Sequence, residues 1–276
     1  MGTACSTIHG PVPKEYGLMP TLDLRSQASE ILPYDEDVAL SDDDRLRAIA
    51  TWKGRMVNEH VSARVFAALI PQLMNAGLDP AWQERVAVMI QDELRHARLC
   101  ATMVHALGGE AVAELPPLPA VPEHPDVSPF EGVLRNILSI CCLSETVAVA
   151  LIRAEHDTVT PDSMQSTLSS ILGDEVQHAR FGWECFRSLA PDIDDDMKSR
   201  LTDYLVVAFK HVREHELHYL PLGKTPSVQA ESVGVCDGVE ARQLFFETIT
   251  DVIIPGLEAH GLGAQKAWEA SYGTLN

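Results

Sequence analysis

Four glutamates fall on the apolar stripes of four successive helical stretches, and that placement limits what the chain can fold into. Glu59 follows Trp52 and Met56 at heptad-like spacing and precedes Ala63 and Phe66. Glu93 lies one turn after Met89, and Glu145 sits in ILSICCLSETVAVALI, which is apolar nearly all round. Glu175 follows Ile171 and Leu172. Two of the four have a histidine three residues on, His96 before Cys100 and His178 before Phe181. That spacing is about one helical turn, so both side chains of each Glu-x-x-His grip one ion. Four buried carboxylates without partners cost far more than the whole stability of a domain. Two divalent cations remove the cost, because four carboxylates and two neutral imidazoles around two such ions sum to zero charge.

The segments ELRHAR and EVQHAR mark an internal pseudo-repeat: 34 positions separate Glu59 from Glu93, and 30 separate Glu145 from Glu175. The elements around them are legible from helix punctuation. Ser41-Asp42-Asp43-Asp44 starts a helix that runs to about residue 75, with acids at the positive end of its dipole and Pro71 expected to kink or end it. Asp79-Pro80 starts a second, stopped by Gly108-Gly109. Residues 110–127 hold Pro116, Pro117, Pro119, Pro122 and Pro125, which exclude a helix and make a long connection. Ser128-Pro129 opens a third helix to about residue 157, and Thr160-Pro161-Asp162 a fourth to about residue 190. Further helical segments are expected at about 193–219 and 239–254, and no β periodicity of useful length is present. The expected fold is all-α: a four-helix bundle with one long central crossover over about 41–190, as in ferritin-like folds, plus C-terminal helices over 193–276. Residues 1–40, with Pro11, Pro13, Pro20 and Pro33, read as an extended, wrapping arm.

The net charge of −19 argues against nucleic-acid and anionic-membrane partners. No stretch reads as apolar for long enough to cross a bilayer, and the first residues lack the basic and apolar regions of a signal peptide. The six cysteines form no CxxC pair, and most lie in apolar helical segments, which fits a reduced, cytoplasmic setting.

QDELRHARL and GDEVQHARF resemble the signatures of the ferritin-like di-iron carboxylate oxidoreductases. That group includes multicomponent monooxygenase hydroxylases, acyl desaturases, ribonucleotide reductase small subunits and arylamine N-oxygenases. The resemblance is at the level of motifs and covers about residues 45–190. It implies that Glu59, Glu93, His96, Glu145, Glu175 and His178 are metal ligands, and that Asp92 and Asp174 hydrogen-bond the ligating histidines across the bundle. A ligating histidine needs such a partner on its other nitrogen. Oxygen and nitrogen donors favour iron or manganese over zinc, so the expected cofactor is a pair of iron ions, or manganese with iron.

Among the chemistries such a site hosts, iron storage fits poorly with an N-terminal arm and extra C-terminal segments. A radical-generating subunit needs a tyrosine near the metals, and Tyr16, Tyr34, Tyr204, Tyr219 and Tyr272 all lie outside the core helices. Arylamine N-oxygenases add a histidine one turn before the last glutamate, where this chain has Ile171. The favoured expectation is an O2-dependent oxygenase or oxidase acting on a small organic molecule. Its alternative is a ferroxidase or metal-binding protein without an organic substrate. Ala63, Cys100, Cys141, Ala148, Val149 and Ile171 are expected to line a dry space beside the metals. No flavin or Rossmann fingerprint is present, so electrons are expected from a ferredoxin or reductase partner. A homodimer is the expected oligomer by base rate. His211, His215 and His218 recur with Glu214 at helical spacing and could bind a third metal, but read first as a solvated helix end. His60 reads as lying behind the ligands or on the surface, and His156 as a surface histidine before the lining of an entrance. Arg95 and Arg98 mark the repeat and are expected to pair with neighbouring acids.

Overall fold

The computed structural model describes residues 20–30, 38–118, 120–220 and 222–273. It is mostly helical, and the helix starts fall where the capping residues put them. Helix α1 (Asp42–Asn75) is capped by the Ser41 side chain accepting from the Asp44 N–H, with three aspartates in its first turn. Helix α2 (Pro80–Ala106) is capped by Asp79 with proline at its first position. Pro71 does not end α1, which continues to Asn75. Ala67, whose carbonyl loses its N–H partner to the proline ring, sits on the exposed face, so water can satisfy it.

After the proline-rich connection, one continuous helix runs from Pro129 to Thr158 in three parts. Helix α3 (Pro129–Ile137) passes into a π-helical segment, Leu138–Ser144, and then into α4 (Glu145–Thr158). Its most apolar window reaches a mean hydropathy of 1.9, so by length and composition it is able to cross a bilayer, which the sequence reading did not recognise. Here it is a central helix, with α5 (Asp162–Leu189), α6 (Asp195–Tyr219) and α8 (Gly238–Thr248) packed on it. A helix enclosed on several sides is apolar all round for that reason.

The C-terminal part adds the short α7 (Val228–Glu231), then α8, a second π segment (Ile249–Ile253), α9 (Ile254–Glu258) and α10 (Ala264–Ser271). Where one helical segment was expected over about 239–254 there are several, and α7 and α10, each eight residues or shorter, are too short to show a helical period in the sequence. Also unanticipated is a small antiparallel ladder, β1 (Thr21–Asp23) with β2 (Val112–Glu114), in which Leu22 faces Ala113. A 3₁₀ turn, Arg25–Glu30, packs part of the expected arm onto α2, and β2 touches α1. The rest of the arm, residues 1–19 and 31–37, lies outside the described residues.

Two apolar cores result. One gathers Phe66, Met89, Cys141, Val147 and Phe181; the other gathers Met56, Ala97, Cys100, Ile152 and Ile171. On each of α1, α2 and α5 the predicted ligands lie between a residue of one core and a residue of the other, and Glu145 at the start of α4 lies between Leu143 and Val147 of the first core. A polar layer therefore crosses the middle of an otherwise dry interior.

Candidate metal centre

All six predicted ligands are buried: Glu59 and Glu145 are 7 % exposed, and Glu93, His96, Glu175 and His178 are 3 % or less. The fold brings them into two groups. Oxygen or nitrogen atoms of Glu59, Glu93, His96 and Glu175 lie within 4.8 Å of one another, and so do those of Glu93, Glu145, Glu175 and His178. Glu93 and Glu175 belong to both groups. His96 turns Nδ1 toward Glu59 Oε2 and Glu175 Oε1, each at 3.3 Å. His178 turns Nδ1 toward Glu175 Oε2 at 3.1 Å and Glu93 Oε1 at 3.2 Å, with Glu145 Oε2 at 3.7 Å.

The other ring nitrogens point away from the cluster. His96 Nε2 meets Asp174 Oδ2 at 3.0 Å, and His178 Nε2 meets Asp92 Oδ2 at 3.5 Å. Each aspartate thus contacts the histidine of the other Glu-x-x-His helix, the cross-bundle pairing expected from the sequence. Arg95 ties the two aspartates together, donating from Nη2 to Asp92 at 3.0 Å and to Asp174 at 2.5 Å. It also donates from Nη1 to Ser170 Oγ at 3.1 Å. Pairing with neighbouring acids was expected of Arg95; that those acids would be the two behind the histidines was not.

The π segment ends where Glu145 begins, and the Glu145 N–H bonds the Ile140 carbonyl five residues back. The wider turn rotates Glu145 relative to the preceding helix. Helix α5 approaches this segment through Gly182, where a Cβ would lie 2.6 Å from Cys141 Cβ and 2.9 Å from its carbonyl carbon. Gly182 is one turn beyond His178, so this close approach sets the distance between His178 and Glu145.

Electrostatics reveal what the cluster lacks. Burial, then repulsion from Glu175, pushes the Glu93 carboxyl well above the usual range, and the same two causes push Glu145 up to about 8. Burial disfavours charge on Glu175 as well, but hydrogen bonds from His178 and His96 outweigh it and hold this carboxyl well below its ordinary value. Burial likewise opposes charge on His96, yet hydrogen bonds to Glu175 and Glu59 raise it to about 11. His178 is raised in the same way, against burial, by Glu145, Glu175 and Glu93. Protons on the histidines and on two carboxyls are thus the positive charge available to the layer. Four carboxylates and two imidazoles in overlapping groups of four are a donor set able to hold metal ions.

A cavity of about 570 Å³ reaches Glu59, Glu93, Glu145 and Glu175 from one side. Its walls come from α1, from Ala148, Leu151 and Ile152 of α4, and from the chain following α6, including Leu220 and Cys236. Of the residues expected to line a space beside the metals, Ala148 does so. Ala63, Cys100, Cys141, Val149 and Ile171 are not among its lining residues: Cys141 is packed into one apolar core, and Cys100 and Ile171 into the other. The expectation failed because it placed the space among the small residues next to the ligands, whereas close packing fills that volume. Arg55 and, from the later chain, Leu220, Gly223, Lys224, Val235, Cys236 and Gly238 complete the cavity and were not anticipated. They reach it by a long-range fold-back, for which helical periodicity carries no signal.

No family model and no curated protein matches this chain. The assignment of the site therefore rests on its geometry. The other histidines stay apart from it. His156 bonds Ser169 Oγ at 2.8 Å, and His211 and His215 stack at 6.2 Å between ring centres on an exposed helix face. Among the described residues, His211, His215 and His218 belong to no group able to hold a metal.

Proposed function

We propose that this protein is a non-haem di-iron oxidoreductase of the ferritin-like class that uses O2 to oxidise a small organic molecule. The observation that carries the reading is the sharing of Glu93 and Glu175 between two overlapping four-ligand groups, with a cavity open to the same carboxylates. In this reading α1, α2, α3–α4 and α5 are the four-helix bundle, and residues 107–128 are its long crossover. A pair of iron ions held there would supply O2 reduction and substrate oxidation when bound, with electrons from an external donor such as a ferredoxin or reductase. The protein's own contribution is positional. Asp92 and Asp174 fix the ring orientation of His178 and His96, so that Nδ1 of each faces the centre. Arg95 holds both aspartates. The apolar cores above and below keep water from the layer, and the cavity offers one sided access beside Glu59 and Glu145.

A ferroxidase without an organic substrate uses the same ligands but has no need of a cavity this large beside them. The two readings part in a stopped-flow experiment mixing the anaerobic Fe²⁺-loaded protein with O2. Rapid oxidation of two irons per chain, followed by re-reduction and further O2 consumption without mineral, supports the oxygenase reading. Continued uptake of iron into a mineral contradicts it. No reaction with O2 contradicts both.

A further inference from the structure

Apart from the four glutamates at its inner end, the charged groups lining the cavity are Arg47, Arg55, Lys224 and Glu216. In a chain of net charge −19, three bases against one acid in a single cavity run against the trend of the molecule. Glu216 offsets them only in part, since burial pushes its carboxyl up to about 7. Arg47, Arg55 and Glu59 all line the cavity from α1, with Arg55 about 6 Å from Glu59 along the axis and Arg47 about 18 Å.

Arg55 is held in place and still has donors to spend. Its Nη2 pairs with Glu155, and its guanidinium lies 5.5 Å from the Trp52 ring centre. Trp52 is fixed in turn by its own bond to the Val233 carbonyl at 2.9 Å. Arg55 Nε is buried with no partner. Glu155 Oε1 is likewise buried and unpaired, so those two atoms can satisfy each other within the chain. Nη1, which has no hydrogen-bond partner and is not shielded as Nε is, is the Arg55 donor open to an acceptor from outside. Next to it, Leu151 and Ile152 give an apolar wall.

We propose that the cavity binds a small organic anion, a carboxylate with an apolar body. Arg55 holds the carboxylate, the body lies along Ala148, Leu151 and Ile152 toward Glu59, and Arg47 and Lys224 draw the anion in. This inference rests on the di-metal reading, because it takes the four inner glutamates as neutralised by cations.

The test is calorimetric titration of the metal-loaded protein with octanoate, 1-octanol and octylamine, with metal content measured on the same samples. Octanoate is expected to bind about tenfold or more tighter than either other probe. Arg55→Met combined with Glu155→Gln removes the guanidinium without stranding its partner, and should abolish the preference. Lys224→Gln, at an exposed position, should weaken octanoate binding a few-fold at low salt while leaving the fold untouched. Equal binding of the three probes, or no binding, in protein carrying two metals overturns the anion site and leaves the metal reading intact. A preference unchanged in both variants also overturns it, since the metals themselves would then be holding the carboxylate. A preference that depends on Arg55 in protein unable to hold metal supports the anion site and overturns the di-metal reading instead.

Discussion

Glu93 and Glu175 face both groups of ligand atoms, whereas Glu59 and Glu145 each face one, so single substitutions separate the roles. Glu93→Gln takes a ligand from both ions and should drop the metal content from two per chain toward zero. Glu59→Gln takes a ligand from one ion and should leave about one per chain, as measured by elemental analysis after desalting. Equal losses in the two variants would contradict the shared arrangement. Asp174→Asn keeps the shape of the side chain but removes the charge behind His96, and should weaken metal affinity by about 10–100-fold in a chelator competition. An unchanged affinity would mean that Asp174 serves the fold alone. The six clustered residues were legible in the sequence because a carboxylate on an apolar stripe conflicts with its surroundings. Arg55 carried no such conflict: an arginine near an amphipathic boundary is ordinary, and its position in the cavity depends on Trp52 and on residues 233–236 folding back from far along the chain.

At the scale of elements, the helix starts were legible because Ser41, Asp79 and Ser128 cap them by local hydrogen bonds that need no tertiary context. The π segment Leu138–Ser144 was not legible, since widening a helix by one residue changes neither its composition nor its caps. It is accommodated through packing, and Gly182 is the residue that permits that packing. Gly182→Ala should therefore destabilise the protein by about 1–3 kcal/mol in a denaturant titration and lower its metal content, by pushing α5 and His178 away from Glu145. Gly173→Ala is the control in the same helix. Its Cβ meets nothing within 4 Å, so the change should be neutral or stabilising by about 0.5–1 kcal/mol. Matching losses at both glycines would show that helix α5 responds to any added methyl and that the close approach at Cys141 has no special role.

For the whole molecule, the proposed metal centre should make stability depend on metal and on pH together. Without metal, Glu145 holds a proton up to about 8 and His96 up to about 11, against ordinary values of 4.5 and 6.5. The folded state then binds more protons than the unfolded one, so the stability tied to them is present below those ordinary values and is lost as pH rises through 8 and 11. The depressed Glu175 acts oppositely, but only in the acid range below its ordinary value of 4.5. Chelated protein should thus melt at progressively lower temperature from about pH 6 to pH 9. Metal-loaded protein should melt higher throughout, with the gap widening as pH rises, because the ions replace those protons and compete with them less at high pH. A gap that narrows toward alkaline pH would contradict this linkage. Whether two ions share Glu93 and Glu175 is decided by anomalous diffraction from a crystal of the iron-loaded protein. Two anomalous peaks about 3.5–4 Å apart, each within bonding distance of Glu93 and Glu175, are predicted. A single peak, or none in the layer between His96 and His178, would contradict it.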